Sequence, residues 1–343
     1  MSILIFKAIL VLFVFVASLG IAAYSTYAER KVAAFLQDRI GPDRAGPFGL
    51  LQPIADGTKM FLKEEIIPNV SDKLLFILAP SMFMVTALMT SAVIPWGMPM
   101  EFGGVTYVLQ IADVNIGILY VMGVLSLGVY GIMIGGWSSN NKYALLGAIR
   151  ASSQMISYEL AMGMSVVAVL LMTDGSLSLN AIVEGQKGLN WNMFYQPVAF
   201  IIFLVCSFAE ANRTPFDLPE SESELIGGFH TEYSSMKLGL YLFGEYINMF
   251  ISSAIISCLF LGGYNFPGLE YLGTILPGNL VSLISVGVLF SKIFFFIFFF
   301  MWVRWTIPRF RYDQLMRLGW QVLMPLAIIN VLVTGAILTF FGN

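Results

Sequence analysis

The chain has 343 residues, of which 58% are hydrophobic and only 11% charged, and its mean hydropathy is +0.81. Soluble globular chains carry about 25% charged residues, so a soluble fold would leave extensive apolar surface in water. Eighteen Lys and Arg against 21 Asp and Glu give a formal net charge of −3, which provides no basic surface for nucleic acid. Disorder, a collagen repeat and a disulfide scaffold are excluded by the same composition. What remains is an all-α, polytopic integral membrane protein, read as a single membrane domain over 1–343.

A helix needs about 20 apolar residues to cross the hydrocarbon core. Hydropathy predicts eight such spans, near 3–25, 74–95, 114–136, 148–172, 194–211, 238–262, 281–305 and 319–341. The first is read as a retained helix, because its apolar stretch is long for a cleaved leader. Between the first two spans, Gly41-Pro42 and Gly46-Pro47 break any helix. After them, 49–66 has an apolar side (Leu50, Leu51, Ile54, Met60, Phe61, Leu62) and a polar side (Asp56, Lys59, Lys63). That pattern predicts an amphipathic helix lying in the membrane interface. Pro80, Pro197 and Pro325 fall inside spans and predict kinks. The Phe-rich run 293–302 reads as a lipid-facing or packed surface.

Cations set the orientation. Fifteen of the 18 Lys and Arg lie in or beside the odd-numbered connections, and Lys187 alone lies in an even one. Lys7 and Lys292 fall within spans. The odd loops, chiefly 26–73 and 212–237, are therefore expected in the cytoplasm, with both termini on the other side of the membrane. The even loops read as spacers.

The chain shows no motif for a redox cofactor or nucleotide. Cys206 and Cys258 are far apart in apolar runs and read as small buried hydrophobes. There is one histidine, His230, and no CxxC pair for a metal. Neither GxGxxG nor GxxxxGK[ST] occurs.

The informative residues are the ionisable ones. A charge inside a bilayer is costly and usually faces a cavity or a partner. Glu159, Glu245 and Lys292 stand well inside predicted spans, with Arg150 and Glu210 near span ends. Burial disfavours the charged form of a carboxyl, so shielded glutamates suit a proton path. A structural pair of Glu245 with Lys292 is the alternative. The fifth connection is dense in acids: Asp217, Glu220, Glu222, Glu224 and Glu232 follow Glu210, against Arg213 alone. A second cluster, Arg304-Trp305-Thr306-Ile307-Pro308-Arg309-Phe310-Arg311, directly follows the seventh span. On composition it is a positive-inside stop. An Arg–carboxylate cage between these two segments, beside an apolar slot, would suit a polar head on an apolar tail.

Four blocks carry a specific likeness. They are Glu29-Arg30-Lys31-Val32 through Gln37-Asp38-Arg39-Ile40-Gly41-Pro42 to Leu51-Gln52-Pro53-Ile54-Ala55-Asp56-Gly57-Thr58-Lys59; Ser153-Gln154-Met155-Ile156-Ser157-Tyr158-Glu159; the loop 210–224 with Glu232-Tyr233 and Glu245-Tyr246; and 304–314. In these blocks the chain resembles the H subunit of bacterial NADH:quinone oxidoreductase, respiratory complex I, and its mitochondrial counterpart. The departure is Ser221, where the family commonly has glycine between two acids.

The resemblance implies an eight-helix membrane subunit that carries no redox centre. Quinone is the substrate, and FMN and iron–sulfur clusters belong to partner subunits. Those partners are the peripheral-arm subunits that carry the terminal cluster and complete the quinone site, and the neighbouring membrane-arm subunits. By motif, Arg213, Asp217, Glu220, Glu222 and Glu224 would lie near the quinone chamber, with Arg304 and Arg309 facing them. Arg30, Arg39, Asp56 and Lys59 would border its entrance. Glu159, Glu210, Glu232 and Glu245 match a buried carboxylate chain that couples the chamber to proton translocation, and Lys292, which also matches a family lysine, is expected in the same proton pathway. The weighed alternatives are the equivalent subunit of a membrane-bound hydrogenase-type complex and an independent ion-coupled transporter. The transporter should show internal repeats, and none is evident.

Overall fold

A computed structural model describes residues 3–173, 175–217 and 227–341. Its helices, in chain order, are α1 (Ile3–Leu36), α2 (Gln52–Leu62), α3 (Lys73–Thr90), α4 (Gly117–Ser138), α5 (Lys142–Met172), α6 (Leu179–Gly185), α7 (Asn192–Tyr195), α8 (Pro197–Glu210), α9 (Ser235–Phe260), α10 (Leu269–Ile275), α11 (Gly278–Thr306), α12 (Tyr312–Arg317) and α13 (Met324–Phe341). Seven helical stretches are long and apolar enough to cross a membrane: α1, α3, α4, α5, α9, α11, and α12 run together with α13. The protein is an all-α polytopic membrane protein.

The predicted fifth span differs. Its helix α8 has 14 residues, about 21 Å of rise against a hydrocarbon core of about 30 Å. Pro197 opens α8 instead of kinking it, because a first-turn proline has no N–H to lose. The first helix is longer than predicted. Nothing between Ile3 and Leu36 stops it, so Glu29, Arg30 and Lys31 are helical, not part of a loop. The interfacial helix forms as Gln52–Leu62, shorter than its predicted 49–66. Pro80 lies within α3. Pro325 follows a π-helical turn over Leu318–Leu323, where its missing N–H leaves the normal helical pattern.

The second connection is not a plain spacer. Met100–Phe102 (β1) and Val105–Tyr107 (β2) form an antiparallel hairpin, with Met100 opposite Tyr107. Gly103 and Gly104 both have positive φ (61° and 76°), the conformation a two-residue hairpin turn requires.

α9 is the central helix. In its most apolar stretch 83% of residues are buried, against 17% for α1. The Phe-rich run on α11 divides by helical period: Ile293, Phe296, Ile297, Phe300 and Met301 are buried, while Phe294, Phe295, Phe298 and Trp302 are exposed. Cys206 and Cys258 are buried and unbridged, as read. Glycines on α4 admit its neighbours, as small residues do between membrane helices. A Cβ at Gly131 would lie 2.9 Å from Phe83 Cβ of α3, and one at Gly135 would lie 2.0 Å from the Tyr241 hydroxyl of α9. That hydroxyl donates to Gly131 O at 3.0 Å. Gly135→Ala should therefore cost about 1–3 kcal/mol through overpacking. The thermal midpoint of the detergent-solubilised assembly should fall; an unchanged midpoint would mean that Tyr241 has room to move.

Candidate functional site

The site is organised around Glu29. A stripe of small residues on α1 (Ser18, Ala22, Ser25, Ala33) faces the core, and Glu29 lies on the same face. A carboxylate buried there requires partners. Arg304 Nη1, at the end of α11, lies 2.6 Å from Glu29 Oε1. Arg213 Nη1, just beyond α8, lies 3.2 Å from Glu29 Oε2. The Tyr246 hydroxyl of α9 donates to the same oxygen at 2.9 Å. The Arg213 guanidinium also stacks 4.0 Å from the Tyr246 ring centroid. One buried acid is thus shared by two guanidiniums.

Arg213 is held in place by its backbone. Asn212 turns the chain at positive φ (48°). Gln154 of α5 donates to Ala209 O (2.9 Å) and Phe216 O (2.7 Å), bracketing the turn from both ends. Phe310 N donates to Pro215 O (3.2 Å), and the Phe216 and Phe310 rings lie 5.6 Å apart. Arg309 Nη2 lies 3.1 Å from Asp217 Oδ2. The two loops expected to form a cage therefore do meet.

α2 closes the other side. Arg30 Nη1 lies 2.7 Å from Asp56 Oδ2, Gln52 donates to Asp56 Oδ1 at 2.9 Å, and Lys59 Nζ lies 3.7 Å from Asp56 Oδ1. Ser235 of α9 donates to Met60 O (2.9 Å), and Lys237 pairs with Glu65. Between α1, α2 and α9 lies a cavity of about 250 Å³. Thr26, Glu29, Arg30 and Asp56 form its polar lining, while Met60, Leu242, Phe243 and Trp305 supply apolar walls.

Of the predicted chamber and entrance residues, Arg30, Asp56, Lys59, Arg213, Asp217, Arg304 and Arg309 fall into these linked clusters. Arg304 and Arg213 both pair with Glu29. Arg39 is exposed beyond the end of α1 and does not line the cavity. Glu220, Glu222 and Glu224 lie outside the described residues. Sequence reasoning did not assign roles to Glu29, Tyr246 or Gln154. The signal for Glu29 was the small-residue stripe that continues the helical period through it.

The predicted proton-path residues occupy adjoining helices. Glu159 of α5 accepts from Ser126 of α4. Glu210 ends α8, buried, and Glu159 is close enough to repel it. Glu245 is buried on α9. Glu232 accepts from Asn141 Nδ2 at 2.6 Å. Beside it, burial pushes the Tyr233 hydroxyl up from its ordinary range, so the phenol stays protonated. Lys292 does not pair with Glu245. All three hydrogen bonds recorded for its ammonium go to backbone carbonyls of the turn after α9. Among the described residues no cluster of three metal-ligating side chains occurs.

The chain matches the family model described as NADH dehydrogenase over residues 8–335. It is 64% identical to an NADH-quinone oxidoreductase H subunit of Cytophaga hutchinsonii, covering 98% of this chain and 97% of that protein. The chain belongs to the H-subunit family of NADH-quinone oxidoreductase. Its identity to the corresponding protein of Flavobacterium johnsoniae is 63%, over 97% of this chain and 95% of that one. With an H subunit of Geobacter metallireducens it is 51%, over 96% and 94%. As a member of the H-subunit family it is a membrane component of an oxidoreductase assembly, and the Glu29 cluster is a feature of that component.

Proposed function

We propose that the chain forms the membrane part of the quinone chamber in a proton-translocating NADH:quinone oxidoreductase, and that its buried carboxylates couple quinone reduction to proton movement. The observation that carries this reading is the Glu29–Arg213–Arg304–Tyr246 group at the polar end of a cavity with apolar walls. A quinone has a polar head and an apolar tail, and this lining matches both. Reduction to quinol takes up two protons, and the change in local charge acts on nearby carboxylates. Flavin, iron–sulfur clusters and NADH oxidation belong to peripheral-arm partners, and the lipid bilayer and other membrane-arm subunits complete the surroundings. The cation distribution supports both termini lying on the non-cytoplasmic side.

A photoactivatable quinone analogue, applied to the native assembly and mapped by mass spectrometry, should label peptides around Thr26, Met60 and Phe243. An excess of unmodified quinone should remove the label. Competable labelling confined to other parts of the chain would remove this cavity from the quinone path.

A further inference from the structure

Lys292 lies midway along α11 and is committed to backbone. Its ammonium donates to the carbonyls of Leu261 (2.6 Å), Gly263 (2.8 Å) and Asn265 (2.6 Å), and it lies 5.3 Å from the Trp191 ring centroid. An ammonium has three donors and no acceptor, so each of its protons is used. The three carbonyls belong to the turn that ends α9, in which Gly262 and Gly263 both have positive φ (71° and 53°). Side-chain amides fasten the same turn from its other side. Gln186 accepts from Gly262 N (3.0 Å) and donates to Cys258 O (2.9 Å), and Asn265 Nδ2 donates to Val183 O (2.6 Å). Irregular backbone beside a membrane core requires this kind of satisfaction.

The turn separates two different environments. Outside it, at the end of the bundle opposite the Glu29 cluster, is a cavity of about 680 Å³ whose lining includes Glu184, Lys187, Tyr264 and Asn265. Inside it, every residue of α9 from Ile247 to Phe260 is buried. That buried stretch is not wholly apolar. Asn248 and Ser252 within it, with Glu245 just before it, follow helical spacing along one face, and a small, mainly apolar void of about 10 Å³ adjoins Ser252 and Ser207. Asn265 belongs to both sides: it lines the outer cavity and gives its carbonyl to Lys292.

We propose that Lys292 is a seal: its fixed ammonium closes the turn after α9 and keeps the outer cavity from joining the polar face that leads to Glu245. Satisfied carbonyls do not recruit water, and a fixed positive charge repels hydronium, as charged constrictions do in water-conducting pores. The inference rests on the coupling function proposed above and gives Lys292 a barrier role instead of a relay role. Lys292→Met leaves three carbonyls without this donor beside the outer cavity, and water should enter to bond them.

The test uses the native assembly in liposomes loaded with a pH-sensitive dye, with no NADH present. A potassium gradient with valinomycin drives protons inward. Lys292→Met should raise the passive proton leak several-fold, while Lys292→Arg stays near the unsubstituted protein. NADH:quinone turnover of the Met variant, measured with an uncoupler, should be retained. An assembled Met variant with an unchanged leak overturns the seal, and lost pumping without leak assigns Lys292 to the relay. Lys292→Gln removes the charge and leaves two amide donors for three carbonyls. It should raise the leak less, and it serves if the Met variant fails to assemble, when an unchanged leak again overturns the proposal. Absence of NADH:quinone activity from the unsubstituted assembly would instead count against the functional reading, because the leak is measured without turnover.

Discussion

Glu29→Gln is expected to lower quinone reduction by at least about 10²-fold while the assembly still oxidises NADH with a water-soluble acceptor. Two guanidiniums share this carboxylate, and the Arg213 side chain is only 5% exposed. Glutamine keeps the shape and one acceptor but removes the only acid recorded as an ion-pair partner of either arginine among the described residues. Breaking a buried pair by deleting one partner costs about 3–5 kcal/mol, and each 1.4 kcal/mol or so is a factor of ten. The loss should be expressed in the geometry of the cavity, because Tyr246 donates to the same carboxylate and stacks on the same arginine. Arg30→Ala is the internal control. Its pair with Asp56 is shorter than the Arg213 pair, at 2.7 Å, but the arginine side chain is 51% exposed, and such pairs contribute about 0–1 kcal/mol. Equal losses in the two variants would mean that burial does not rank these ion pairs, and the central place given to Glu29 would fall.

Much of the architecture was legible in the sequence, and the parts that were not share a cause. Spans, the interfacial helix and the inward face of the Phe-rich run follow from period and hydropathy, which are local properties. Glu29 was quoted within a motif yet read as part of a cationic loop, because Arg30 and Lys31 follow it. Its value comes from Arg213 and Arg304, far along the chain, and sequence distance hides that convergence. Lys292 shows the same limit. A lysine in an apolar helix signals a partner, but the partner is backbone, and backbone carbonyls carry no sequence signature. The short α8 could have been anticipated from Pro197, since proline at a first helical position marks a start. The Gly103-Gly104 pair between Phe102 and Val105 likewise signalled a hairpin. Both were outweighed by a window of about 20 residues that averages over such breaks.

Glu159→Gln should separate electron transfer from proton movement. Glu159 bridges two helices: it stands on α5, accepts from Ser126 on α4, and its charge reaches the buried Glu210 at the end of α8. Glutamine has nearly the same volume and can still accept from Ser126, so packing and assembly should survive. It cannot take up and release a proton. A positioned proton-transfer group contributes about 10²–10⁴-fold to the step it serves, so coupled turnover should fall by at least the lower figure. Ser126→Ala removes one hydrogen bond worth about 1 kcal/mol and leaves the carboxyl, so its rate should fall only about fivefold. The measurement is proton uptake and NADH oxidation together in sealed vesicles, for Glu159→Gln, Glu159→Asp and Ser126→Ala. A merely structural Glu159 predicts that the isosteric glutamine is milder than the shortened aspartate. A proton-carrying Glu159 predicts the reverse order, with aspartate retaining pumping that glutamine loses. Full pumping by Glu159→Gln would take this residue out of the coupling path and leave Glu210 and Glu245 to account for it.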